Sequence, residues 1–145
     1  AMNTMLRVFL LSFSVGCAST APVFHPPAGR ADAPYSESVR VGNTLYLAGK
    51  LGMKEGALAP GGIQPETRAA MEAIQTVIER HGGSMDNVVK CTVFLADIAE
   101  WAAMNEVYTQ FFPPGRRPAR SAVGVGSLAR DARVEIECIA VLAAL

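Results

Sequence analysis

Residues 133–142, RVEIECIAVL, alternate with a period of two: Val134, Ile136, Cys138 and Ala140 project to one side, and Glu135, Glu137, Ile139 and Val141 to the other. That period belongs to a β-strand, and a wholly apolar side belongs against a core. The second side begins with two carboxylates and turns aliphatic at Ile139 and Val141. Glu135 and Glu137 read either as a solvated outer face or as carboxylates at an apolar boundary, where one orients water or pairs with an arginine. The pattern leaves both readings open.

Just upstream, RPARSAVGVGSL (117–128) reads as a second strand with almost no side-chain bulk. Gly124 and Gly126 weaken a strand interior and mark a place where something approaches the backbone closely. Arg120 stands at the entrance. It either pairs with Glu135 or Glu137, or it offers its guanidinium fork to a substrate carboxylate while the small residues after it leave backbone groups accessible. The arrangement suits a small anionic ligand lying along the backbone.

Working outward, Val39–Val41 and Thr44–Lys50 flank Gly42-Asn43 as a β-hairpin. Residues 52–62 form a Gly/Pro-rich loop. Pro65 and Glu66 open a helix whose apolar positions Ala70, Met71, Ile74, Val77 and Ile78 recur at helical spacing, with Gly82-Gly83 as its stop. Val89–Leu95 alternates as a further strand. Asp97 then caps a helix carrying Trp101, Met104, Asn105, Tyr108, Phe111 and Phe112 on one side, ended by Pro113-Pro114-Gly115. The order is ββαβαββ, an α+β domain with both helices on one face of a mixed sheet. Strands apolar on both faces leave a second face that two helices cannot cover, and self-association covers it.

The 145 residues make one domain rather than two. Residues 1–21 have the layout of a signal-like hydrophobic leader, too short for a membrane span; residues 22–33 read as a Pro/Gly-rich linker, and 34–145 as the folded domain. A signal sequence implies a periplasmic or exported protein; without one the protein is cytoplasmic. Cys17 is a candidate lipidation site, and only its lipidation would bring the chain to a membrane. Thirteen basic residues balance thirteen acidic ones, so nucleic acid is not the expected partner. Cys91 and Cys138 fall inside apolar strand patterns and read as buried free thiols rather than a disulfide or metal site. With only His25 and His81 as imidazoles, neither a histidine metal cluster nor a Ser-His-Asp triad is expected.

RPARSAVGVGSLARDARVEIECIAVL resembles the C-terminal signature of the RidA family (also called YjgF or UK114), and the resemblance extends from about Pro34 to Val141 through APYSESVRVGNTLYLAGKLG and VVKCTVFLADIAEWAAMNEVYTQFF. It implies a fold like that of bacterial chorismate mutase, a homotrimer with clefts between subunits, and hydrolysis of 2-imino acids or their enamine tautomers to 2-keto acids and ammonia without a cofactor or metal. By position, Arg120 corresponds to the carboxylate-binding arginine, Tyr35 to a cleft tyrosine, Asn105 to a helix asparagine near it, and Glu135 to a glutamate that holds water. The backbone at Ala122 corresponds to the segment contacting the imine nitrogen. Three positions depart from the family pattern: Ala122 where cysteine is common, Ala48-Gly49-Lys50 for Ser-Gly-Gln, and Ala129 for proline. The resemblance also carries two rival readings, a small-carboxylate-binding protein without turnover and an endoribonuclease.

Overall fold

A computed structural model describes residues 20–143; the hydrophobic leader and Cys17 fall outside the described residues. Among these residues the elements run β1 (Val23–His25), β2 (Ser38–Val41), β3 (Thr44–Leu47), β4 (Lys50–Leu51), β5 (Met53–Lys54), β6 (Ala57–Leu58), α1 (Ile63–Arg80), β7 (Val88–Leu95), α2 (Trp101–Tyr108), β8 (Ala119–Gly124) and β9 (Val134–Val141). The main sheet has the order β1-β2-β3-β9-β7-β8, and β4 also pairs with β9. Only β7 and β8 run parallel. The α+β architecture with a mixed sheet and two helices is the one the sequence pattern implies.

β9 sits at the centre because it is the strand with the longest strict alternation. Val134, Ile136, Cys138 and Ala140 are buried beneath the helices, beside Leu45 and Leu47 of β3 and Cys91, Val93 and Leu95 of β7. Met71, Ile74, Val77 and Ile78 of α1 and Met104 and Tyr108 of α2 close the core from above. Helix α1 stops where Gly82 takes φ 78° and the Gly83 amide donates to the Ile78 carbonyl, as the Gly82-Gly83 pair suggests. The opposite face of the sheet displays Tyr46, Val123 and Val141 to solvent.

Three readings need correction. Cys91 and Cys138 are not free thiols: they face each other across β7 and β9, Cα atoms 4.2 Å apart, and are joined as a disulfide. Strands that lie 47 residues apart in the chain become neighbours only through the sheet order, which spacing along one sequence does not reveal. The stretch 22–33 is not linker throughout, because Val23–His25 pairs antiparallel with Ser38–Arg40 as an edge strand. Prolines at 22 and 26 bracket this short pairing, as suits an edge position. Finally, Thr44–Lys50 is not one strand. It breaks at Ala48-Gly49: the Ala48 amide still donates to the Glu37 carbonyl in the β2–β3 register, but the pairing with β9 shifts by one residue between Tyr46–Ile139 and Lys50–Ile136.

Candidate functional site

The six-residue strand β8 is an edge strand, hydrogen-bonded to β7 alone. Its register sets Arg120 opposite Cys91 and Ala122 opposite Val93, so both project toward the helices, with Ala122 packed against the core. The helix that meets Arg120 begins after a 3₁₀ turn, Ile98–Glu100, in which Asp97 Oδ1 accepts from the Ala99 amide. Trp101, Asn105 and Tyr108 then fall at i, i+4 and i+7 on one stripe. Arg120 Nη1 donates to Asn105 Oδ1 at 2.6 Å, and its guanidinium carbon lies 4.6 Å from the Tyr108 ring centroid and 5.8 Å from that of Trp101. These contacts fix the plane of the fork while leaving most of its five N–H donors unused.

Tyr108 is buried, and its hydroxyl has no hydrogen-bond partner among the described residues. Burial pushes its phenol up to about 12, although the neighbouring Arg120 charge pulls the other way. It therefore meets the guanidinium as a neutral ring and a free O–H. Trp101, Asn105, Tyr108 and Arg120, with Arg117 and Pro118, line a concavity of ≈ 430 Å³.

Glu135 belongs to a different concavity. It stands opposite Phe94 of β7 and Leu51 of β4, on the sheet face turned away from the helices. Its carboxylate makes no hydrogen bond or ion pair among the described residues. Gly49 explains how it fits: a Cβ at that position would collide with the Glu135 side chain, so the break between β3 and β4 makes room for the carboxylate. Tyr35, Gly49, Leu51, Arg130 and Glu135 are among the residues lining this second concavity, of ≈ 550 Å³. Lys50 lines it too, but its ammonium is engaged with Glu37 at 2.8 Å, and Arg80 meets the other oxygen of that carboxylate at the same distance. Burial would raise the Glu37 carboxyl, but the two cations outweigh it and hold it below its ordinary value.

The structure thus brings Arg120 and Asn105 together, brings Tyr35 and Glu135 together, and separates the two pairs onto opposite sheet faces. An intrachain pairing of Arg120 with Glu135 or Glu137 does not form. Gly124 has a local reason: a Cβ there would press on Ile98 at 3.1 Å. Gly126 has open space around it. The backbone approach expected at these glycines is therefore, at Gly124, an approach by the chain itself. The sequence places Trp101 and Tyr108 on the same helix side as Asn105, four residues before it and three after; that spacing is the signal that all three can flank one guanidinium.

The described residues form a two-helix α+β fold with an oriented guanidinium on one sheet face and an unpaired carboxylate on the other. The family described as Endoribonuclease L-PSP matches residues 27–142, and the chain belongs to this family, the RidA/YjgF group. It is 45% identical over 116 residues to a 2-iminobutanoate/2-iminopropanoate deaminase of Capra hircus, covering 79% of this chain and 84% of the relative. It is 39% identical over 120 residues to a RutC family protein of Pyrococcus horikoshii, covering 81% and 94%. Among solved structures, E. coli TdcF with bound serine superposes with a TM-score of 0.72 at 33% identity, covering 78% of this chain and 91% of that one.

Proposed function

We propose that the chain hydrolyses 2-imino acids, or their enamine tautomers, to 2-keto acids and ammonia, acting as a homotrimer in which the Arg120 concavity of one copy faces the Glu135 concavity of the next. The observation that carries this reading is the state of Arg120: a guanidinium oriented by Asn105 and Tyr108, with donors to spare, in an open concavity. A relative named for imine deamination and a neighbour holding serine, a small molecule with one carboxylate, support the choice of ligand.

In this scheme Arg120 receives the substrate carboxylate, a bidentate role that an ammonium could not fill. The protonated C=N carbon is already electrophilic, so orientation accounts for much of the rate. Glu135, with no partner of its own, accepts a hydrogen bond from water and removes its proton as the oxygen attacks; the C=N π pair moves to nitrogen. Glu135 returns that proton to the carbinolamine nitrogen, which leaves as ammonia while the hydroxyl gives up its proton and becomes the keto oxygen. A trimer meets two needs at once: it covers the exposed Tyr46, Val123 and Val141 on the open face, and it joins two half-sites that one chain keeps apart.

The test is turnover of 2-iminobutanoate generated in situ by an amino-acid oxidase, followed as 2-oxobutanoate and ammonia, together with light scattering. Accelerated hydrolysis by a particle of about three chain masses is the expected result. A monomer at micromolar concentration, or hydrolysis no faster than in buffer, would overturn the proposal.

A further inference from the structure

Several guanidinium groups around the two concavities have no task in the reaction above. The chain as a whole is neutral, yet Arg30 and Arg130 line the Glu135 concavity and Arg117 lines the Arg120 concavity. Lys50 is already engaged by Glu37, whereas none of these three arginines forms an ion pair among the described residues. Arg130 has only a long 3.5 Å contact from Nη1 to the Gly56 carbonyl. Glu135 is the one carboxylate lining either concavity among the described residues. Positive charge is therefore concentrated where a ligand would sit, in a protein that has no overall excess.

The backbone adds a second, independent sign. Arg130 and Asp131 both take left-handed φ angles, 60° and 58°, which residues with a Cβ adopt at a cost. Strain of this kind persists where the surroundings hold it, and it collects at ligand-binding sites. Here the two residues lie in the turn Ala129–Asp131, between β8 and β9, which carries Arg130 to the concavity.

We infer that the cleft selects 2-imino acids whose side chain carries a second acidic group. This rests on the deaminase reading and deepens it. A monocarboxylate needs one guanidinium, which Arg120 provides. A 2-imino dicarboxylate needs another beyond the reacting carbon, and Arg130 or Arg30, which line the concavity that also holds Glu135, supplies it. Such an imine arises when the α C–N bond of an acidic amino acid is oxidised by two electrons, the hydride passing to the supplying enzyme's own acceptor. The step here is hydrolytic only: water oxygen becomes the keto oxygen and nitrogen leaves as ammonia.

The experiment compares kcat/KM for iminosuccinate and 2-iminobutanoate, each generated in situ by an amino-acid oxidase. The wild-type chain is expected to favour iminosuccinate, with an advantage that shrinks at about 0.5 M salt because exposed charges are screened. That preference ratio should fall about two- to fivefold in Arg130→Ala and about tenfold in Arg30→Ala/Arg130→Ala, the range of exposed ion pairs. A wild-type ratio of one or less, or a ratio unchanged in the double variant, overturns the inference while leaving the deaminase reading intact. Calorimetry with 2-oxoglutarate and 2-oxobutanoate separates the converse case. If no imine is turned over yet 2-oxoglutarate binds more tightly in an Arg130-dependent way, the deaminase reading falls and selection for acidic ligands stands. Equal binding of the two keto acids without turnover rejects both.

Discussion

The two halves of the candidate site are built by different means. Around Arg120, side chains do the positioning: Asn105 holds one Nη, and Tyr108 and Trp101 flank the guanidinium plane. Around Glu135, main chain does it: Gly49 vacates the space the carboxylate fills, and β4 lies alongside as two residues of ladder. The contrast follows from what each group needs. A guanidinium is weakly hydrated and planar, so rings and an amide oxygen can hold its orientation without consuming its charge. In the proposed reaction the carboxylate takes a proton from water, a role better served without a fixed cation, and room is what Gly49 supplies.

Breaking the first half should have the largest effect. Arg120→Ala removes charge-assisted contacts to the substrate, and turnover of 2-iminobutanoate should fall about tenfold to a hundredfold or more. Arg120→Lys should recover little of it, since the ammonium cannot form the fork. Full activity in Arg120→Ala would mean that the half-site built around it is not the substrate's anchor.

Joining the halves can be tested directly. Glu135→Gln should lower kcat more than it changes KM, because the carboxylate acts on water rather than on substrate binding. Arg120→Ala and Glu135→Gln should each keep only a small residual activity alone. If clefts lie between chains, co-refolding the two in equal amounts should restore about a quarter of wild-type activity, since in a closed heterologous ring that fraction of clefts receives both intact halves. No recovery, in hybrids shown to assemble, would place both halves of each functional site within one chain.

Two glycines sharpen the difference between a half made of backbone and the scaffold beneath it. A Cβ at Gly49 would meet the far end of the flexible Glu135 side chain, whereas a Cβ at Gly52 would meet the main chain of Glu66 on α1. Gly52→Ala should therefore destabilise the fold by about 1–3 kcal/mol, as overpacking does. Gly49→Ala should cost stability less than about 0.5 kcal/mol, as at an ordinary surface site, while turnover drops because the carboxylate is displaced. Urea midpoints and kcat measured on both variants decide it; equal loss of stability in the two would contradict the flexible response assumed for Glu135.

Much of this was legible in the sequence, and the reason differs by element. Alternation along 134–141, the helical spacing from Ala70 to Ile78 and the Gly82-Gly83 stop are local signals, and the structure follows each of them. Sheet neighbours are not local. The Cys91–Cys138 bond, the pairing of Val23–His25 with β2, and the placement of Arg120 and Glu135 on opposite faces all depend on which strands become adjacent. The family resemblance marked Arg120, Asn105, Tyr35 and Glu135 as a set, but only topology sorts them into two pairs.

The smallest expected effect concerns the edge of the Glu135 half, where β1 leads through residues 26–34 to Arg30 and Tyr35. His25 of β1 meets His81 at the end of α1 edge-on, ring centroids 4.5 Å apart, and His81 Nε2 shares a 3.0 Å hydrogen bond with Ser38 Oγ of β2. Burial first, then the neighbouring His25, Arg40 and Arg80, hold the His81 pKa below its ordinary value, with Glu37 opposing them. A base whose pKa is lowered by folding binds fewer protons folded than unfolded, so protonation favours the unfolded chain. The penalty is absent above the ordinary imidazole value of about 6.5 and grows as pH falls below it. Glu37 runs the other way: its stabilising contribution is kept above the ordinary carboxylate range and lost only when pH falls through that range, so the two windows are separate. Between pH 7 and 5 the melting temperature should therefore fall. His81→Gln, which can still hydrogen-bond Ser38 but cannot charge, should flatten that slope. Hydrogen exchange locates the effect: acid should first loosen residues 20–35, while 119–124 keep their protection. Loosening of β8 at the same pH would show that the two halves answer to one set of contacts after all.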